Sequence, residues 1–334
     1  MRLLKLKNTY DITFICRRGY DHFAQPILKE LEKKYRIQYL YMNHKSEYWH
    51  FLVRGKVIWV EWANKFALTA SRKRWKNRRL IIRLHRFEIN SNFMNKITWA
   101  NVDKLIFVNE HFEKEFKEKI NSEVETITIP NAVEIASFPY LPHLYGKSIC
   151  AYGFGFNPVK GYDQLIKMFS ELVKRDNGFH LTIMGTITNQ DTSIRHLREI
   201  KDQIIESGLS DKITVIERRG VDSLVEDREN VVSFLRNHDI IMSYSHIESF
   251  HYSFAEGMLC GLEGFYNMWH NSLIRNYWRN WGYESEVELI DGIIKWSNLS
   301  QLEKESKAKE NREYIINNFS SEIISSEYEK IFRE

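Results

Sequence analysis

Short apolar runs alternate with amphipathic stretches along the whole chain. DITFIC (11–16), IQYLYM (37–42), KVIWVEWA (56–63) and RLIIRLH (79–85) are rich in β-branched and aromatic residues and predict strands. ILKELEKKY (27–35) has apolar residues at helical spacing, and RRGYDHF (17–23) before it predicts a loop. Residues 93–100 predict a further helix, DKLIFVN (103–109) a strand, and EHFEKEFKEK (110–119) a charged helix. TITIPNAV (126–133) closes this half. ASFPYLPHLYGK (136–147) concentrates proline and glycine and predicts the linker between two domains.

A second alternating set follows. SICAYGFG (148–155) predicts a strand, and in the helix predicted over 162–174 Tyr162, Leu165, Ile166, Phe169, Leu172 and Val173 form one apolar face. HLTIMG (180–185) and KITVIE (212–217) predict strands around a charged helix over 194–207. VVSFLRN (231–237) predicts a helix leading into the strand DIIMSYS (239–245), and EGFYNM (263–268) a short strand. The tail from Asn311 predicts helix with a polar break near Ser320. Such alternation predicts α/β architecture, two doubly wound domains with right-handed crossovers and ligands at the carboxyl ends of their strands. The expected division is residues 1–140, residues 141–310 and a helical tail, 311–334, that returns to the first domain.

The richest stretch chemically is SYSHIESFHYSFAEGMLCG (243–261), which follows the apolar run Ile240–Met242. Glu248 and Glu256 flank seven residues without Pro or Gly. A helix starting near Ser249 would put Glu248 at its mouth and Glu256 about two turns inside, a reach suited to an elongated ligand. The free amides of a helix start would meet phosphates, while the carboxylates would meet hydroxyls. A sugar nucleotide offers both.

This Glu-(seven residues)-Glu spacing on a strand–loop–helix, followed by the small residues Gly257, Cys260 and Gly261, resembles the signature of retaining GT-B glycosyltransferases of the family-4 type. The resemblance implies the GT-B fold, in which two Rossmann-like domains face each other across a cleft. It implies that Glu248 lies by the donor sugar, that Glu256 binds the nucleotide ribose, and that the amides of Ser249, Phe250 and His251 approach the diphosphate. The loop YGFGFNPVKG (152–161) resembles the family's donor-phosphate loop, with Gly153 and Gly155 admitting phosphate and Lys160 supplying charge. Phe154 stands where the family usually has Arg, so a phosphate cation is missing or comes from Arg218 or Arg219.

His85, in LHRFE (84–88), matches the family's strand-end histidine near the reacting sugar, and Arg83, Arg86 and Glu88 would bind acceptor or one another. Gly19 stands in the place of the family's N-terminal glycine loop. Ile129–Asn131 resembles the segment before the linker. Glu61 and Trp62 end a strand where an acceptor would bind. RRGVD (218–222) and Trp269–His270 are further candidates for the nucleotide side.

The 334 residues suit two domains with their own cores, and 43% hydrophobic content fits a packed globular protein. No apolar run has the length of a membrane span, and the start MRLLKLKNTYDITFIC has no signal-peptide core. Cys16, Cys150 and Cys260 lie far apart without metal-ligand spacing, as expected of buried thiols in a reducing cytosol. The net charge of +4 is mild, but SRKRWKNRR (71–79) gathers cations around Trp75. That segment would either dock on an anionic membrane or form a solvated loop.

The expected protein is a cytoplasmic transferase with no cofactor and no metal, able to associate with a membrane through residues 71–79. UDP or GDP sugar would serve as co-substrate, a glycan or glycolipid of bacterial surface polysaccharide assembly would accept, and nucleic acid would play no part. The alternatives are a non-hydrolysing sugar-nucleotide epimerase of GT-B fold and a non-enzymatic binder of anionic polymers.

Overall fold

A computed structural model describes residues 10–42, 51–140, 142–187, 191–218 and 228–333. The chain divides into two compact units: residues 1–132 with 319–334, and residues 133–318. The boundaries therefore fall at Val133 and Phe319 rather than at 141 and 311.

In the first unit the apolar runs form β1 (Tyr10–Arg17), β2 (Ile37–Met42), β3 (Gly55–Glu61), β4 (Arg79–Leu84), β5 (Lys104–Phe107) and β6 (Thr126–Thr128). α1 (Gln25–Leu31), α2 (Lys65–Ser71) and α3 (Glu110–Lys119) connect them. The six strands are parallel in the order β2-β1-β3-β4-β5-β6. The order reverses between β1 and β3, and at such a point the loops leaving the carboxyl ends diverge and open a crevice. Asn64 and Asn109 cap α2 and α3 by accepting from the amides of Phe66 and His111.

No α-helix forms over residues 93–100. The segment makes turns and a short 3-10 helix, Trp99–Asn101, because its polar groups find non-helical partners. The Trp99 indole donates to the Met94 carbonyl (3.0 Å), and the Thr98 amide donates to Ser71 Oγ (3.1 Å).

The second unit contains β7 (Ser148–Gly153), α4 (Tyr162–Arg175), β8 (His180–Thr186), α5 (Asp191–Glu206), β9 (Ile213–Arg218), α6 (Arg228–Arg236) and β10 (Ile240–Ser243). It continues with α7 (Tyr252–Leu259), β11 (Glu263–Asn267), α8 (Arg275–Trp278), β12 (Gly282–Tyr283) and α9 (Glu286–Ser297). Its parallel sheet runs β12-β11-β10-β7-β8-β9 and reverses between β7 and β10. The core lies where α4, α5 and α9 meet this sheet, built from Leu165, Ile166, Phe169, Ile200, Ile290 and Ile293 among others. Cys16, Cys150 and Cys260 are buried and free.

α10 (Gln301–Phe319) leads through the break at Ser320 into α11 (Ser321–Arg333), which packs in the first unit. Tyr328 and Ile331 enter its core, and the Tyr328 ring stacks on Trp59 with centroids 4.7 Å apart. Lys34, just past α1, meets Glu329 at 2.7 Å. Tyr328→Ala should cost roughly 3–5 kcal/mol, as deletion of a large buried aromatic does. Tyr328→Phe should be nearly neutral, since the hydroxyl has no hydrogen-bond partner among the described residues. Denaturant unfolding followed by tryptophan fluorescence would distinguish the two, and equal losses would contradict this packing role.

Candidate functional site

In the second unit the loops after β7 and β10 leave adjacent strands at the reversal point. Backbone contacts join them. The His246 amide donates to the Val159 carbonyl (2.8 Å), and Gly161, at φ 64°, lies against the Tyr244 carbonyl. A Cβ at Gly161 would fall 2.2 Å from that oxygen, so both the conformation and the contact require glycine. Gly155 also takes a positive φ, 79°. The turn Pro158–Lys160, capped by Asn157, then sends Lys160 back toward the second loop.

There Lys160 Nζ meets Glu248 Oε1 at 2.7 Å, with both side chains about four-fifths covered. Burial alone would raise the Glu248 carboxyl, but Lys160, His251 and a hydrogen bond from Ser245 hold it down at about 2. Burial pushes His251 down to about 4, so its ring is neutral near pH 7. Its Nε2 bonds Ser243 Oγ, and its Nδ1 lies 3.1 Å from Ser253 Oγ. These bonds tie β10 to α7 and hold His251 at φ 79°, an uncommon conformation for a residue with a side chain.

α7 begins at Tyr252 rather than near Ser249, because His251 leaves helical geometry. Glu248 therefore stands in the loop, its amide donating to Asn271 Oδ1 (3.2 Å), while Glu256 lies in the second turn of α7 and accepts from the Tyr152 hydroxyl. The Phe250 ring is buried against Trp278, and its carbonyl accepts the Trp278 indole N–H (2.5 Å). Ser249 is half-buried. Phe154 is 47% exposed and brings no charge to the loop.

Two further polar groups line this region. The Tyr162 hydroxyl is buried without a hydrogen-bond partner among the described residues and would lie 3.2 Å from a Cβ at Gly153. Lys160 Cε lines the same spot, at 3.0 Å. Asn271 Nδ2 is likewise buried and unsatisfied. An unsatisfied buried donor costs about 1–3 kcal/mol, an expense that a bound polar ligand removes. Tyr162 was legible only as one more apolar position on the face of α4, and Asn271 carried no signal.

Arg218 ends β9, buried, and Arg219 and Gly220–Asp222 lie outside the described residues. Trp269 packs edge-on to Tyr244 and beside His270, which faces His246.

In the first unit the expected acceptor residues divide. Gly19 is exposed in the turn after β1 at φ 79°, and Arg86 is half-buried over the Phe87 ring. Glu61 and Glu88 are buried, and their carboxylates serve the protein itself. Register places Glu61 beside Arg83 on neighbouring strands. Glu61 accepts from Arg83 (3.0 Å), from His85 Nε2 (2.8 Å) and from the Trp59 indole (3.1 Å). Burial works to raise its carboxyl, but Arg83 and then His85 hold it below the ordinary range. Arg83 also bonds Asn131, so the IPN segment is tied to β4.

His85 is buried between Trp62 (centroids 4.0 Å apart) and Phe23 (5.2 Å), and burial depresses it to about 4. With Glu61 ionised, Nε2 is the protonated nitrogen of a neutral ring. Glu88 accepts from the amides of Ala63 (2.8 Å) and His85 (3.2 Å). Trp62, at φ 77°, fixes the turn after β3 through its indole bond to the Tyr20 carbonyl (2.7 Å).

Together the two parallel sheets and their order define a GT-B fold. Solved structures with this fold include a mutant of S. aureus TarM in complex with fondaparinux, alpha-GlcNAc-glycerol and UDP (TM-score 0.66, 17% identity). They also include sucrose-phosphate synthase from Thermosynechococcus elongatus (0.69, 14%) and the trehalose-6-phosphate synthase OtsA (0.73, 11%). The alignments cover 86%, 97% and 97% of this chain. They cover 58%, 98% and 99% of the other chains, so this chain spans little more than half of TarM. Residues 147–263, which carry Lys160, Glu248 and Glu256, match the family model described as Glycosyl transferases group 1. No curated protein matches the sequence.

Burial raises Glu88 from 4.5 to about 8. Between those values the folded protein keeps a proton that the unfolded chain has released, so this group's contribution to stability falls as pH rises. Glu88→Gln should remove that dependence. Its melting temperature relative to the parent should climb by a few degrees between about pH 5 and pH 8. A difference that stays constant with pH would contradict the protonated state.

Proposed function

We propose that the protein is a retaining glycosyltransferase that moves a sugar from a nucleoside-diphosphate sugar, UDP or GDP being the expected bases, to a hydroxyl of a glycan or glycolipid. A role in bacterial surface polysaccharide or glycolipid assembly fits this chemistry. The observation that carries the reading is the Lys160–Glu248 pair at the strand-order reversal, next to two buried donors without partners among the described residues. A diphosphate would draw Lys160 onto its oxygens, and the sugar hydroxyls would take up Glu248. Tyr162 and Asn271 would donate to the same ligand, partly replacing the charge lost at Phe154.

The step asks mainly for stabilisation of a leaving diphosphate. The anomeric carbon–oxygen bond breaks as the acceptor oxygen bonds to the same face, and the acceptor proton passes to the leaving phosphate oxygen. Lys160 and the amides of Ser249 and His251 meet the growing negative charge. Ionised Glu248 favours the positive charge at the sugar carbon. Glu256, already oriented by Tyr152, is assigned to the ribose hydroxyls.

On the acceptor side we assign Gly19 and Arg86 as contacts at the carboxyl end of the first sheet. His85 is assigned a neutral ring edge beside the reacting sugar, with Glu61 holding its orientation.

A thermal-shift screen across UDP-, GDP-, ADP- and CMP-sugars should give one clear hit. With that donor, Glu248→Gln should lose on the order of a hundredfold or more in transfer while melting normally. Tyr162→Phe should weaken donor affinity by roughly tenfold, the worth of one hydrogen bond to a charged group. Near-normal turnover of the Glu248 variant would refute the proposal.

A further inference from the structure

The basic segment 71–79 is built differently from a loop with a protruding aromatic. Trp75 is buried, its indole donating to the Ala70 carbonyl (2.9 Å), with the Lys73 ammonium 4.2 Å above the ring. Arg74 is held by Asp103 at 2.6 Å. Arg72, Lys73 and Lys76 remain exposed.

Asn77, at φ 56°, turns the chain so that Arg78 donates to the Val53 carbonyl (3.0 Å). Arg78 is close enough to Arg54 for the two charges to repel, and Arg54 donates to the Phe51 carbonyl (2.7 Å). The basic segment is thereby joined to Phe51 and Leu52, which are 67% and 49% exposed. This surface lies at the amino ends of β3 and β4, the edge opposite the carboxyl ends where ligands bind.

We propose that this edge docks the protein on an anionic lipid bilayer. Phe51 and Leu52 enter the headgroup region, and Arg54, Arg72, Lys73 and Lys76 meet lipid phosphates. Charge complementarity selects an anionic partner, since the nearby Asp103 is already taken by Arg74. The exposed apolar pair selects the bilayer over a dissolved polyanion. A polyanion would satisfy the cations and gain nothing from Phe51 and Leu52, whereas an interface rewards both. Trp75 supplies a rigid base beneath Lys73 instead of inserting. The inference stands apart from the donor-site reading.

The test is sedimentation of the full chain with vesicles, using phosphatidylcholine alone or with about one third phosphatidylglycerol. Binding should require the anionic lipid. An Arg72→Ser/Lys73→Ser/Lys76→Ser variant should bind roughly a hundredfold more weakly, at about fivefold per cation. Phe51→Ser/Leu52→Ser should lose vesicle binding by about tenfold or more while binding heparin as the parent does. Both variants change only exposed positions, so melting temperature and the thermal shift with donor should be unchanged. Binding to heparin without binding to vesicles, or vesicle binding unaffected by loss of Phe51 and Leu52, would overturn the proposal.

Discussion

The second unit depends on a close approach of two loops. Gly161 can lie against the Tyr244 carbonyl only because it has no side chain, and this contact brings the loop after β7 onto the loop after β10. Lys160, one residue earlier, is thereby directed at Glu248. The sheet order supplies the opportunity, since the two loops leave neighbouring strands at the reversal of winding. The glycine turns that opportunity into a defined pair of charges. His251 does similar work on the other side, holding a strained backbone with both ring nitrogens and leaving the amides before α7 outside the helix.

The first unit has a different economy. Its polar residues at strand ends form a closed set in which Glu61 binds Arg83, His85 and Trp59, while Glu88 satisfies two backbone amides. Such a set is costly when broken, because each lost partner strands a buried charge or donor. Its rigidity gives His85 one ring orientation and one protonation state.

The sequence made the architecture legible because buried parallel strands are continuous apolar runs and their connecting helices carry apolar stripes. The stripe over 162–174 is a clear case, as is the break at Ser320. Residues 93–100 depart from the predicted helix because apolar spacing says nothing about indole and serine side chains competing for backbone groups. Lys160 and Glu248 were legible as motif members, but their direct pairing required the approach at Gly161. At Glu61, as at Glu88, a carboxylate near a strand end reads alike whether it faces a ligand or its own protein. The in-register pairing of Glu61 with Arg83 decides between them, and register is not written in a single strand. Tyr162 was hidden by chemistry, its ring serving the core while its hydroxyl reaches past it.

The stacking of Tyr328 on Trp59 spans most of the polypeptide. During synthesis on the ribosome, β3 emerges long before α11 exists, so Trp59 must wait with that side of its ring uncovered. The second unit has all its strands and its own core before that final helix is made. The first unit is thus begun before the second and receives this helix after it.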